Sequence, residues 1–183
     1  KTKDDHKIKG WNTEMDKPVL YIVIPCYNEQ EVLPITSGLF LQKIKDLAAA
    51  GKISDASRVL FVNDGSRDNT LEELVKLHDA HPGIVKVIDF SRNFGEEGGL
   101  LAGLENATGN YVTVMDADLQ DPPEYLPKMF EAMNQQHVDI VGTRRVTRKG
   151  EPKIRSFFAR QFYKLINKFT EVEIVDGARD FRL

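Results

Sequence analysis

Short runs of β-branched and aromatic residues alternate with longer amphipathic segments from Pro18 to Gly142, and few folds accommodate this alternation. The sequence predicts strands over 19–24, 58–63, 84–90, 110–115 and 138–142, and helices over 29–50, 69–80, 96–107 and 122–136. Strand–helix alternation is typical of an α/β fold with a mostly parallel sheet and helices on both faces. Residues 1–17 are polar and lack periodicity, so we interpret them as a flexible N-terminal tail.

Polar residues follow each of the first four predicted strands. They occupy positions 25–29, 64–66, 91–93 and 116–118. In open parallel sheets, ligands bind at the carboxyl ends of the strands. The sequence therefore predicts one binding site, formed by these four turns.

Asp116 and Asp118 directly follow a buried strand, and Gln120 lies two residues further on. Residues two apart in an extended segment point to the same side. Two carboxylates on one side suit Mg²⁺ or Mn²⁺ shared with a diphosphate. The alternative is a polar turn at a strand end, where Asp is common.

The turns after the first two strands are open to two interpretations each. Asp64 belongs to an Asp-Gly-Ser turn, but it could also accept hydrogen bonds from a nucleobase or a ribose. Glu29 could simply favour a helix N-terminus, or it could bind a sugar hydroxyl while Tyr27 stacks on a base. The glycine-rich segment 95–99 is acidic and would need Arg92 to hold a phosphate.

The composition excludes several classes of protein. The 183 residues include 25 basic and 28 acidic side chains, which argues against a general nucleic-acid-binding protein. The single cysteine, Cys26, excludes an internal disulfide framework. The sequence lacks both the P-loop and the GxGxxG pattern of dinucleotide-binding domains.

Positive charge is concentrated in residues 144–168, which carry nine basic side chains and one acid, whereas residues 1–143 carry 14 basic and 23 acidic side chains. Apolar residues recur at helical spacing from this cationic segment to the residue that follows it, at Ile154, Phe157, Phe158, Phe162, Leu165, Ile166 and Phe169. Such a stripe either packs on the sheet or forms an interfacial membrane helix.

Four motifs together resemble the family 2 glycosyltransferases, which have the Rossmann-like GT-A fold. They are Pro-Cys-Tyr-Asn-Glu (25–29), Val-Asn-Asp-Gly-Ser (62–66), Ser-Arg-Asn-Phe-Gly (91–95) and Asp-Ala-Asp-Leu-Gln-Asp-Pro-Pro (116–123). The C-terminal Asp-Gly-Ala-Arg-Asp-Phe-Arg-Leu (176–183) and the cationic segment resemble the branch that glycosylates polyprenyl phosphates. Dolichol-phosphate mannose synthases and bactoprenol-phosphate glucosyltransferases belong to that branch.

The resemblance implies a role for each matching residue. Those implied to bind the nucleotide sugar are Pro25, Tyr27, Glu29, Asp64, Arg92 and Asp116. Those implied to hold Mg²⁺ or Mn²⁺ are Asp116, Asp118 and Gln120. Those implied to bind the acceptor phosphate are Arg144, Arg148 and Arg155. The implied catalytic carboxylates are Asp118 and Asp180, although Asp180 could instead orient an arginine.

The resemblance divides the chain into a nucleotide-sugar-binding core over 18–143 and an acceptor-binding segment over 144–183. It implies an inverting, metal-dependent transfer of a sugar to polyprenyl phosphate at the cytoplasmic membrane face. UDP-glucose or UDP-N-acetylglucosamine is favoured as donor, ahead of a GDP-mannose donor. Glu96 departs from the Lys or His of some relatives. Relatives usually continue into membrane-spanning helices, so we expect a C-terminal membrane anchor beyond Leu183.

Two other functions fit the same residues. The acceptor could be a soluble glycan or a protein, or the chain could be a catalytically silent module that docks on anionic lipid through its cationic segment. We expect no nucleic-acid partner. A homo-oligomer is left open.

Overall fold

The computed structural model describes residues 17–120, 122–144 and 178–183. Its strands are β1 (Leu20–Cys26), β2 (Arg58–Asn63), β3 (Val85–Asp89), β4 (Tyr111–Val114), β5 (Gly142–Arg144) and β6 (Ala178–Arg182). Its helices are α1 (Leu33–Ala49), α2 (Thr70–Ala80), α3 (Glu96–Asn106) and α4 (Leu126–Gln136), the last preceded by a 3₁₀ turn, Pro123–Tyr125. The chain forms two compact units, Lys1–Pro127 and Lys128–Leu183.

The first unit is built on a four-stranded parallel sheet with the order β3-β2-β1-β4. The central strands β1 and β2 are almost entirely buried, as their unbroken apolar sequences require in a sheet covered by helices. Tyr21, Val23, Leu60 and Val62 form one core cluster on the sheet. The predicted α/β, Rossmann-like fold with a mostly parallel sheet is confirmed.

Helix α3 packs unusually close to the central strands because it presents glycines to them. Gly99 and Gly103 are its buried residues and lie one helical turn apart. A Cβ atom added at Gly103 would lie 2.2 Å from Cγ1 of Val23. Because Gly99 and Gly103 have no side chains, α3 can lie close to the sheet.

Strand β1 runs through Pro25 to Cys26, two residues past the end that the sequence predicts. Pro25 is tolerated because this part of β1 pairs only with β2, since the pairing with β4 ends at Val23. Helix α1 begins at Leu33 rather than at residue 29, because Pro34 occupies its first turn, where an N–H is dispensable.

The prediction of a strand over 138–142 is wrong. Strand β5 begins at Gly142 and pairs antiparallel with β6 in a separate two-stranded sheet. Val138 and Ile140 are exposed, Ile140 to 69%, so this short apolar run does not face a core. In the described parts of the chain, no helix is both long and apolar enough to cross a membrane.

Candidate functional site

Asp116 and Asp118 lie in the turn after β4 and are both exposed, on either side of the buried Ala117. The backbone reverses at Leu119, whose φ of 60° is left-handed and whose N–H donates to the carbonyl of Asp116. Gln120 donates its backbone N–H and its side-chain Nε2 to the two oxygens of Asp118, at 3.0 and 2.7 Å. Gln120 thus orients the Asp118 carboxylate.

Glu29 brings a third carboxyl group to this turn from the end of β1. Burial raises the pKa of Glu29, and the negative charges of Asp118, Asp68 and Asp116 raise that pKa further. The turns after β1, β2 and β4 therefore concentrate negative charge at one edge of the sheet. A divalent cation is the ordinary way to stabilise such a cluster.

No group of three or more His, Cys, Asp or Glu side chains is arranged to hold a metal ion within residues 17–120, 122–144 and 178–183. Among the residues predicted to hold a metal ion, Asp116 and Asp118 place two exposed carboxylates in one turn. This donor set fits Mg²⁺, which proteins usually bind through one or two carboxylates while substrate phosphates and water complete its coordination.

The turns after β1 and β2 are joined by reciprocal hydrogen bonds. The backbone N–H of Asn28 donates to Oγ of Ser66 at 3.0 Å, and the Asn28 side-chain oxygen accepts from the N–H of Arg67 at 2.9 Å. Asn28 has a φ of 58°, a conformation that Asn tolerates better than most residues. The Glu29 N–H donates to Oγ1 of Thr70 at 2.7 Å, which fixes the backbone that carries its carboxyl group.

Asp64 is only 4% exposed, and its carboxylate binds the backbone of the turn after β3. Oδ1 accepts from the N–H of Phe94 at 2.7 Å, and Oδ2 accepts from the N–H of Gly95 at 2.9 Å. The next residue, Gly65, has a φ of 61°, and a Cβ atom there would lie 2.2 Å from the carbonyl carbon of Arg92. The ends of β2 and β3 are therefore packed backbone against backbone.

Aromatic and cationic side chains are exposed at the same edge. The Arg92 guanidinium lies 4.6 Å from the ring centroid of Phe94, which in turn meets the Phe90 ring edge-on at 5.2 Å. Phe94 is 54% exposed and Tyr27 is 41% exposed, whereas Pro25 is half-buried. Exposed rings with an adjacent guanidinium can stack on a planar ligand.

The residues predicted to bind the acceptor belong to the second unit or lie outside the described residues. Arg144 ends β5 opposite Ala178, and Asp180 lies within β6, so both belong to one small antiparallel sheet. Arg148 and Arg155 fall outside the described residues. Their proposed roles stay predictions.

Sequence reasoning did not find how several residues hold the site together. Gly65 and the 68–70 segment were interpreted only as a turn glycine and a helix cap, and Asn28 and Phe94 only as members of motifs. In the structure, Oδ2 of Asp68 accepts from the N–H of Gln30 at 3.2 Å and Oδ1 from that of Thr70 at 3.0 Å. The Asx pattern at 68–70 indicated the local bond, but not the partner across the loop.

Comparison with known families gives one match that covers most of the chain. Residues 21–183 match the family described as glycosyl transferase family 2. This range includes all four turns at the carboxyl edge of the sheet.

Curated relatives agree with this match. The chain is 40% identical over 164 residues to a protein of Synechocystis named uncharacterized glycosyltransferase sll0501, covering 90% of this chain and 49% of that protein. It is 35% identical over 162 residues to the bactoprenol glucosyl transferase of Shigella phage SfX, covering 88% of this chain and 50% of that protein. The chain therefore spans about half the length of the curated relatives it matches.

Among solved structures, the fold is similar to that of a mannosyltransferase from Pyrobaculum calidifontis, determined in complex with GDP-Man and Mn²⁺. The TM-score is 0.55 at 20% sequence identity, over 87% of this chain and 42% of that one. At this identity the similarity concerns the fold alone.

Proposed function

The chain belongs to glycosyl transferase family 2, and we propose that it transfers a sugar from a nucleotide diphosphate to a polyprenyl phosphate. The observation that carries the proposal is the gathering of Asp116 and Asp118 beside Glu29, whose pKa is raised in part by their charges. Such a cluster suits a cation-bridged diphosphate. Relatives named bactoprenol glucosyl transferase, at 34 and 35% identity, support the lipid phosphate as acceptor.

Asp116 and Asp118 would hold Mg²⁺ or Mn²⁺, which supplies positive charge for the diphosphate as it leaves. Gln120 keeps the Asp118 carboxylate oriented through two hydrogen bonds. Its own role as a metal ligand stays a prediction, since its amide nitrogen is directed at Asp118. Asp118 would be catalytic in the sense that it would hold the cation that stabilises the leaving nucleotide.

The nucleoside would lie across the turns after β1, β2 and β3. Tyr27 offers an exposed ring for stacking beside Pro25, and Glu29 offers a carboxylate for a sugar hydroxyl. Arg92 offers a guanidinium held over an aromatic ring. A UDP-sugar, with glucose or N-acetylglucosamine, is the proposed donor, because it is the donor expected of the bactoprenol branch.

The acceptor phosphate would meet the cationic segment 144–168, with Arg144, Arg148 and Arg155 as its contacts. An anionic lipid headgroup presented at the cytoplasmic face of a membrane is opposite in charge to this cationic segment. An ionised phosphate is already a nucleophile, so Asp180 is needed for orientation more than as a base. Direct attack of an acceptor phosphate oxygen on the anomeric carbon, with the nucleoside diphosphate leaving from the opposite side, would invert the configuration at that carbon.

Calorimetry of UDP and GDP with and without Mn²⁺ tests the donor site. Wild-type chain is expected to bind one nucleotide much more tightly with Mn²⁺, and Asp116→Ala and Asp118→Ala are expected to lose this metal-dependent gain. Asp79→Ala, which removes an exposed carboxylate from α2, is the matched control and should bind like wild type. Nucleotide affinity that does not respond to Mn²⁺, in a folded chain, would contradict the proposal.

The acceptor is tested by kinetics with a short-chain polyprenyl phosphate in detergent. Arg144→Ala and Arg155→Ala should each raise the acceptor KM about tenfold or more, because each removes a charge-assisted contact to phosphate. Lys45→Ala, an exposed cation on α1, should leave that KM unchanged. If neither arginine substitution alters the acceptor KM, a soluble glycan or protein acceptor is favoured instead.

A further inference from the structure

The carboxylate of Asp64 is directed at the protein's own backbone and lies almost entirely inside the first unit. Each of its oxygens accepts one main-chain N–H, from Phe94 and from Gly95, and the residue is 4% exposed. A carboxylate buried in this way is stabilised by those two N–H groups. Little of it is left to face a ligand.

The segment that Asp64 holds carries an exposed cation of the site, Arg92. Phe94, whose N–H binds Asp64, supports the Arg92 guanidinium on its ring at 4.6 Å. Gly65 adds to this attachment, because its missing side chain leaves room for the backbone of Arg92 and Asn93. The position of Arg92 is thus tied to the end of β2 at two adjacent residues.

We propose that Asp64 is a positioning residue, which fixes the Phe94–Gly95 backbone so that Arg92 is held ready for the nucleotide, and that it makes no direct contact with the base. The inference rests on the proposed function, because it takes Arg92 as a contact to the donor. Strands β2 and β3 are neighbours in the parallel sheet, and neighbouring strands lie about 4.8 Å apart. The segment that follows β3 is therefore held close to both strands when Asp64, at the end of β2, binds its backbone. Loss of the anchor would free Arg92 without altering the carboxylates of the β4 turn.

The test is a double-mutant cycle of Asp64→Asn and Arg92→Ala, with UDP and GDP affinities measured by calorimetry in the presence of Mn²⁺. Asp64→Asn replaces one acceptor oxygen with a donor, so one of the two N–H groups loses its partner. We expect it to weaken UDP and GDP binding by the same factor, on the order of tenfold. The double variant should bind no more weakly than Arg92→Ala alone.

Two further measurements separate positioning from simple loss of structure. Amide hydrogen exchange should accelerate at Phe94 and Gly95 in Asp64→Asn, while the amides of β1 stay protected. Phe94→Ala, which leaves the buried carboxylate in place, should reproduce the equal loss for both nucleotides. Phe94→Tyr keeps the ring under Arg92 and should bind both nucleotides more tightly than Phe94→Ala does. Asp79→Asn controls for the removal of a carboxylate charge.

Two results would overturn the inference. The first is a change in the ratio of UDP to GDP affinity in Asp64→Asn, with losses that add to those of Arg92→Ala, since Asp64 would then contact the base itself. The second is unchanged affinity with faster exchange at Phe94 and Gly95. If wild type binds neither nucleotide, the proposed function fails, whereas faster exchange in Asp64→Asn would still support the anchor.

Discussion

Glu29 is held where its ionised form is unfavourable. Burial raises the pKa of its carboxyl, and the charges of Asp118, Asp68 and Asp116 raise that pKa further. The folded state therefore binds this proton more tightly than the unfolded chain does. Ionised Glu29 lowers the free energy of unfolding, and the loss develops as pH rises from the ordinary glutamate pKa of about 4.3 through the raised value.

We accordingly expect Glu29→Gln to raise the free energy of unfolding at neutral pH and to leave it nearly unchanged below about pH 4. Urea unfolding of wild type and variant across this pH range measures the difference. Glu31→Gln, an exposed neighbour, is the matched control and should show no such pH-dependent gain. A Glu29→Gln variant less stable than wild type at neutral pH would mean that the carboxylate is stabilised where it lies.

At the scale of single side chains, the sequence predicted which residues would form the candidate site but not how they are held. Asp64 was open to two interpretations, a turn residue or a nucleoside contact. In the structure its partners are the amides of Phe94 and Gly95, thirty residues away along the chain. A contact of this kind depends on how two turns meet in space. No local pattern encodes it.

Among the elements, α3 depends on a glycine at position 103 for its packing on the sheet. Alanine at Gly103 would place its Cβ 2.2 Å from Cγ1 of Val23 and 3.4 Å from Cγ2 of Val62, both in the buried core cluster. Overpacking of this kind costs about 1–3 kcal/mol, and alanine's better helix propensity returns at most about 1 kcal/mol. Gly103→Ala should therefore lower the free energy of unfolding.

Gly38 in α1 is the matched control, because a Cβ atom there meets nothing within 4 Å. Gly38→Ala should raise the free energy of unfolding by about 0.5–1 kcal/mol through helix propensity alone. Denaturant titration of both variants measures whether each substitution raises or lowers the free energy of unfolding. If Gly103→Ala were also stabilising, α3 would have to move away from the sheet without cost.

The order of strands and helices along the chain was predictable because the buried face of each element leaves a characteristic spacing of apolar residues in the sequence. The uniformly apolar runs of β1 and β2 and the amphipathic helices gave the parallel sheet and its order of strands and helices. The same reasoning failed at 138–142, a short and mostly apolar run in which Val138 and Ile140 are nevertheless exposed. An apolar run shows that a segment could be buried. It does not show that another element covers it.

For the molecule as a whole, the parallel sheet explains why residues distant in sequence meet at one edge. Three successive turns are joined by hydrogen bonds between Asn28 and Ser66, and between Asp64 and Phe94. The sequence predicted that these turns would lie together, because the carboxyl ends of parallel strands share one edge, and that this edge binds a ligand stays a prediction. The cross-links between its turns followed only from the folded arrangement.

The proposed donor site, with two carboxylates and a cation-bridged diphosphate, has a consequence for thermal stability. Asp116 and Asp118 alone would hold a cation weakly, because the nucleotide would supply the remaining oxygens. Mn²⁺ and UDP together should therefore stabilise the fold more than the sum of their separate effects. At free ligand about 100 times its dissociation constant, the gain is about 2.7 kcal/mol, or roughly 5–10 °C in Tm for a chain of this size.

Scanning calorimetry of the chain alone, with Mn²⁺, with UDP and with both measures this coupling. Asp116→Ala should keep a Tm close to that of wild type without ligands, since the side chain is exposed, and should lose the combined gain. Asp79→Ala should retain that gain in full. If Mn²⁺ alone gave the whole rise in Tm, the protein would hold the cation without the diphosphate, and further ligands would have to come from residues outside the carboxylate pair.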